Sequence, residues 1–384
     1  MEWFASSVAG SLYAITFSIY TVRFIGTIGG LNVLSKLIQS LFGMDSPPEI
    51  EFFLIKILAV ITACLFIYIN FRGASETGKI GAIITAGQIL FVAAIGLVGI
   101  AAVIREPSRL NNFTPFMPEG WTRLLVTMGF TFVAFEGYEV IAQSGDEAIE
   151  PRKNLPRAMI LSVLIVTFIY VLVAFATVVS VKAGSEGIDK APWQWIGQFE
   201  ERGFGEAVAR LMPLGNFILT LAVIFSSTSA LNATVYSATR ASYALGRDKM
   251  LPGIFARIHK EKRTPWGALL LTAVIVLTVA AFMPTKDVAS SASIMFLFLF
   301  FMVNLCVIKI RRSMSDELQY GFLMPFFPLF PIAAVLCQIV LAVWLVHMSA
   351  LAWIIAPVWI VSGVAIYLLY SRSRAAVTEE EILI

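Results

Sequence analysis

The chain is written in apolar blocks about twenty residues long, set apart by short polar stretches. A helix needs roughly 20 apolar residues to cross the hydrocarbon core of a bilayer, so each block is long enough to span. In lipid every backbone amide must find an internal partner, which restricts spanning segments to helices or closed barrels. A barrel strand alternates apolar and polar side chains over about ten residues, and these blocks do not alternate. The pattern predicts an all-α integral membrane protein. Only 14% of the 384 residues are charged and 58% are hydrophobic, against about 25% charged in a soluble domain, which leaves no stretch for a soluble module.

The blocks predict about ten transmembrane helices in one domain covering 1–384, near 3–25, 52–70, 81–104, 122–142, 157–181, 207–231, 265–283, 288–310, 325–347 and 350–371. Two connections have room for amphipathic helices: 27–50, through Leu31, Leu34, Leu37, Ile38 and Leu41, and the basic stretch 232–264. Of the 28 Lys and Arg residues, 17 fall on one set of loops and 11 on the other. The positive-inside rule assigns the richer side to the cytoplasm. A multi-pass protein of the cytoplasmic membrane with both termini inside is expected. The Arg- and Lys-rich stretch 247–263 suits a loop beside anionic lipid better than a nucleic-acid surface.

Enzymatic patterns are lacking. His259 and His347 have no partner at metal-ligand spacing, and there is no GxxxxGK[ST] loop for a nucleotide phosphate. Neither a cofactor nor a resident metal is expected. Cys64, Cys306 and Cys337 form no CxxC pair and sit in apolar blocks, so they are expected to be small buried hydrophobes.

The residues that point to function are the charges far from any span end. Glu136 and Glu139 lie inside the fourth block, in Phe135-Glu136-Gly137-Tyr138-Glu139. A carboxylate at the bilayer centre costs roughly 2.5–3.5 kcal/mol on insertion scales. Gly137 loosens the helix there, and an interrupted helix at the midplane is where transporters hold substrates. The bland alternative is a continuous helix whose glutamates bind neighbouring spans. Asp146-Glu147 and the segment Pro151 to Arg157 follow; Pro151 and Pro156 predict a tight turn whose acids and bases either pair as helices tilt or form a plain solvated loop. The sixth block carries Ser226-Ser227-Thr228-Ser229, then Asn232. Its hydroxyls suit a small cation or a substrate carboxylate, or equally bonds back to their own helix. Its helix is expected to run on past Arg240 until Pro252. Gln88, alone and polar in the third block, suits an interhelical hydrogen bond more than a cavity. Tyr13, Tyr20 and Asn304 suit packing, with lining a cavity as the alternative.

Several of these segments resemble the amino acid–polyamine–organocation (APC) permeases. Phe135 to Glu139, the acidic pair Asp146-Glu147, and Pro151-Arg152-Lys153-Asn154-Leu155-Pro156-Arg157-Ala158 are similar to that family's signature. Ser229-Ala230-Leu231-Asn232-Ala233, Ser237 to Arg240, and Ala244 to Pro252 resemble a second, and Asn70-Phe71-Arg72-Gly73 a weaker third.

The resemblance implies a LeuT-like helical bundle and secondary transport of amino acids or related amines by alternating access, through proton-coupled symport or exchange. It also implies that the first block matches the family's third helix, so that the family's first two helices lack a counterpart here, through a late start or a true fragment. A non-transporting truncated paralogue acting as sensor or assembly partner is the alternative from another class. Residue by residue, Phe135, Glu136, Gly137 and Tyr138 would offer unwound backbone and an aromatic gate to an amino group, and Glu139 would begin the inner half-helix. Ser226, Ser227 and Thr228 would lie near the sodium place of sodium-coupled relatives, with Asn232 and Tyr13 as further lining. Gln88 stands where some proton-coupled relatives carry a lysine, so Glu136 becomes the candidate proton carrier.

Overall fold

The computed structural model describes residues 1–27, 39–40, 47–72, 77–143, 148–182, 184–185, 188, 190–199, 203–313, 322–345, 347 and 349–372. These residues form helices without strands. In chain order they are α1 (Glu2–Thr27), α2 (Pro47–Arg72), α3 (Thr77–Arg105), α4 (Gly120–Phe130), α5 (Val140–Gln143), α6 (Pro151–Ser180), α7 (Pro192–Gly197), α8 (Gly203–Leu211), α9 (Gly215–Arg247), α10 (Trp266–Phe282), α11 (Thr285–Ser313), α12 (Leu329–Leu345) and α13 (Ala350–Ile366). A 3-10 helix joins α3 to the loop before α4, another continues α4, and a π turn at Tyr367–Ser371 ends the series. Among the described residues eight helical segments are long and apolar enough to cross a membrane, with α4 and α5 together making one of them. Two shorter apolar helices, α10 and α12, accompany them.

The centre of the bundle is α1, which packs against α9, α11, α2 and α10. Its sequence explains why. Ala5, Ser7, Ala9, Ser11, Ala14 and Ser18 are buried small residues that let neighbouring backbones come close. Their hydroxyls are satisfied within the bundle: Ser11 donates to the Ser7 and Val276 carbonyls, both at 3.0 Å, tying α1 to α10. The outermost helix is α6, whose most apolar window buries nothing inside the protein. It rests on α3 through two glycines. A Cβ at Gly99 would lie 2.6 Å from the Cβ of Ala176, and one at Gly96 would run into Leu172.

Several expectations need correction. The tight turn at Pro151–Arg157 is instead the start of α6. Pro151 occupies its first position, where proline's missing N–H removes nothing, and Pro156 sits within the helix. The turn is made by Glu150, held in the left-handed region at φ 46°. The sixth block does not run unbroken from 207, because α8 ends at Leu211 and α9 starts at Gly215. Pro213 lacks a donor and Leu214 sits at φ 57°. From there α9 runs past Arg240 to Arg247, as expected, so the first half of 232–264 is helix. The three cysteines are exposed on the outside of the bundle, not buried. In lipid the outer surface is as apolar as the core, so an apolar residue has no reason to turn inward. The expected amphipathic helix through Leu31, Leu34, Leu37, Ile38 and Leu41 lies outside the described residues.

Candidate functional site

The fourth span is interrupted. The α-helix of α4 ends at Phe130 and tightens to a 3-10 turn over Thr131–Phe135. Glu136 then takes an extended conformation at φ −64° and ψ 152°. Gly137 follows at φ 114°, a region that only glycine enters without steric cost. Helix resumes at Val140.

Neighbouring helices hold this gap open. The hydroxyl of Ser293 on α11 donates to the Phe130 carbonyl at 2.9 Å and accepts the Val133 amide at 3.1 Å. Tyr170 on α6 donates to the Ala134 carbonyl at 2.5 Å. Backbone groups that a continuous helix would have satisfied internally are thus met from outside it. The Phe135 ring meets Tyr170 edge-on at 5.2 Å, and Tyr138 stacks on Phe300 at 5.4 Å. Both Glu139 oxygens accept the Gly137 amide, at 3.0 and 2.9 Å.

Glu136 is different. Its Oε2 is buried and has no hydrogen-bond partner among the described residues. Among the described residues, Glu139 and Glu2 act on it electrostatically. Tyr13 lies within electrostatic reach of Glu136, Tyr170 and Glu139. Glu2, the first residue of α1, accepts hydrogen bonds from Ser6 at 2.9 Å and from Ser237 of α9 at 3.4 Å. A group of carboxylates and phenols therefore surrounds the interruption, and its field favours a cation or a proton.

The structure brings Phe135, Glu136, Gly137, Tyr138, Glu139 and Tyr13 together at this place. The hydroxyls of α9 have other partners. Ser226 accepts from Gln88 Nε2 of α3 at 2.6 Å. Ser227 donates to the Val223 carbonyl at 2.6 Å, and Thr228 to the Ile224 carbonyl at 3.1 Å. Asn232 accepts from Asn70 of α2 at 2.8 Å. Gln88 also lines a cavity of about 400 Å³ between α3 and α9, whose other walls are Phe91, Leu221 and Phe225 with their neighbours. Asn304 donates to the Phe300 carbonyl on its own helix at 2.8 Å. Asp146 and Glu147 of the predicted gating turn lie outside the described residues. Lys153 pairs with Glu150 at 3.5 Å on an exposed surface, while Arg157 sits on the exposed first turns of α6 with Pro151.

Sequence reasoning passed over Ser293, Tyr170 and Glu2. Ser293 had a signal: Ser290, Ser291 and Ser293 form a hydroxyl-rich run in the eighth block, of the same kind as Ser226–Ser229 in the sixth. Tyr170 gave none, being an ordinary aromatic in an apolar run.

The sequence model of the family described as amino acid permease matches residues 1–372. A methylthioribose transporter of Bacillus subtilis is 26% identical over 83% of this chain and 64% of its own length. A branched-chain amino acid permease of the same organism is 26% identical over 85% of this chain and 66% of its own. A serine/threonine exchanger, also from Bacillus subtilis, is 26% identical over 83% and 68%. The chain thus spans just under two thirds of the length of the first two of these relatives.

Proposed function

Because the chain belongs to the amino acid permease family, we propose that it carries amino acids or related amines across the cytoplasmic membrane by alternating access, as a proton-coupled symporter or an exchanger. The observation that carries this reading is the buried, unpartnered Oε2 of Glu136 beside the interruption at 131–139. An anionic oxygen without a donor is costly in a low-dielectric interior. It is reasonable there only if a proton or a substrate ammonium arrives to meet it. The relatives named as a branched-chain amino acid permease and a serine/threonine exchanger support the substrate class. Both termini lie on the cytoplasmic side in this reading, where the basic loops gather.

In this reading the Phe135–Tyr138 segment binds the amino group through its irregular backbone and Glu136, and the rings of Phe135 and Tyr138 close over it. Glu136 takes the coupling proton, and Tyr13 stands beside it. Sodium near Ser226, Ser227 and Thr228 is the competing coupling scheme.

The test is uptake by proteoliposomes of the purified chain, with leucine, serine and lysine as radiolabelled probes across an imposed pH gradient. Wild type accumulates at least one of them, and Glu136→Gln keeps binding but loses the pH dependence. Unchanged pH dependence in Glu136→Gln overturns the proton role. Binding without accumulation favours the sensor reading.

A further inference from the structure

Helix α11 carries its grip on the interrupted span twice over. Ser293 holds the gap through the Phe130 carbonyl at 2.9 Å and the Val133 amide at 3.1 Å. Ser290 stands one turn nearer the start of α11, and residues three apart on a helix are neighbours on one face. Ser290 is fully buried, and its Oγ has no hydrogen-bond partner among the described residues. A buried hydroxyl left unmet bears the whole cost of its lost hydration. Ser291 also lacks a partner, but it lies two positions from Ser293 and so on a different side of the helix.

The aromatic contacts repeat at the same spacing. Phe132 and Tyr138, on either side of Glu136, rest on Phe300 at 6.0 and 5.4 Å. Phe296, one turn nearer the start of α11, is fully buried and stacks on Phe300 at 6.1 Å. A one-turn step of the fourth span toward that end covers about 5 Å. It exchanges Ser293 for Ser290 and Phe300 for Phe296 together. Ala289, one turn from Ser293, is buried and small, so it puts no bulk in the path.

We propose that Ser290 and Phe296 are positioning residues for a second register of the fourth span on α11, one helical turn from the register described above. Packed interfaces switch between discrete arrangements, and a one-turn step of one element past another is among them. The exchange is close to even, since one register leaves the Ser290 hydroxyl unmet and the other leaves that of Ser293. That the step serves transport rests on the reading proposed above, while the two registers stand apart from it.

The experiment measures distances by pulsed electron resonance on the full chain in nanodiscs. Nitroxide labels go on Trp121→Cys of α4 and Met302→Cys of α11, both exposed positions, with the exposed Cys64, Cys306 and Cys337 replaced by alanine. Wild type gives two distances about 5 Å apart. Ser293→Ala raises the share of the second by about two- to tenfold, and Ser290→Ala lowers it by as much. Ser290→Ala melts no lower than wild type, because the hydroxyl it removes is unpartnered in the described register; it serves as the second arm if Ser293→Ala does not fold. A single distance in wild type overturns the proposal, as does an unchanged share in either folded variant. The measurement needs no substrate. Two registers in a chain that accumulates nothing sink the transport reading alone, and uptake by a chain with one register sinks this proposal alone.

Discussion

The carboxylate of Glu139 reaches back two residues and takes the amide of Gly137 with both oxygens, at 3.0 and 2.9 Å. The turn that interrupts the fourth span is therefore locked by a charge-assisted bond from the residue just before the next helical segment. A hydrogen bond to a charged group is worth about 1.5–3 kcal/mol. Glu139→Ala is expected to lower uptake by about ten- to a hundredfold, while Glu139→Gln, which keeps an acceptor, loses less. Initial rates in proteoliposomes check this, and equal losses in the two variants would argue against a positioning bond.

The bond from Gln88 to Ser226 ties α3 to α9 across the cavity between them. Interhelical hydrogen bonds in membranes couple by about 0.6 kcal/mol on average and rarely above about 1.7. Gln88→Ala and Ser226→Ala are expected to be non-additive by that amount in a double-mutant cycle of unfolding in micelles. Additive effects would show that the two side chains act separately.

The contact between α3 and α6 leaves no room at Gly99, where an added Cβ would come within 2.7 Å of the Ala176 Cα. Gly99→Leu forces the helices apart, and overpacking of this kind costs about 1–3 kcal/mol. Gly87 on the same helix has nothing within 4 Å of such a Cβ. Gly87→Ala is expected to melt at the wild-type temperature or above, and Gly99→Leu well below it. Thermal denaturation in detergent separates the two.

Beyond the end of α3, Glu106 bonds Lys182 at 2.5 Å and Arg109 at 3.1 Å. Arg109 and Asn112 in turn donate to the carbonyls of Val178–Val181 and so cap the C-terminus of α6. The Lys182 hydrogen bond, with the charges of Lys182 and Arg109, holds the Glu106 carboxyl below its ordinary value of 4.5. A folded-state value below the unfolded one stabilises fully above that ordinary value and fades as pH falls through the lowered one. Wild type is expected to melt above Glu106→Gln at neutral pH, and the two to converge in acid. A constant gap down to the lowest pH would remove Glu106 from that account.

The all-helical class could be read from the sequence because lipid imposes one rule on every apolar block, that its amides pair within the helix. The interruption in the fourth span was legible for the same reason. Glu136, Gly137 and Glu139 break that rule together, and only glycine settles at φ 114°. The α6 start was misread because proline disfavours helix before itself yet is at home in the first position, and the chain alone does not say which applies. The cysteines were misplaced because hydropathy separates inside from outside only in water.

What the sequence determined by itself is the list of groups that cannot rest in hydrocarbon: the two glutamates of the fourth span, Gln88 and the hydroxyl runs. Each had to find a partner or a guest, but hydropathy carries no information on which. Tertiary packing assigned them. It gave Gln88 to Ser226 and Asn70 to Asn232, and it used Ser293 and Tyr170 to bridge the gap in the fourth span. It left the Glu136 Oε2 without a donor among the described residues. Helix rotation and depth decide those pairings, and both are set by side chains far apart in sequence, such as Asn70 and Asn232, that meet only when the bundle closes.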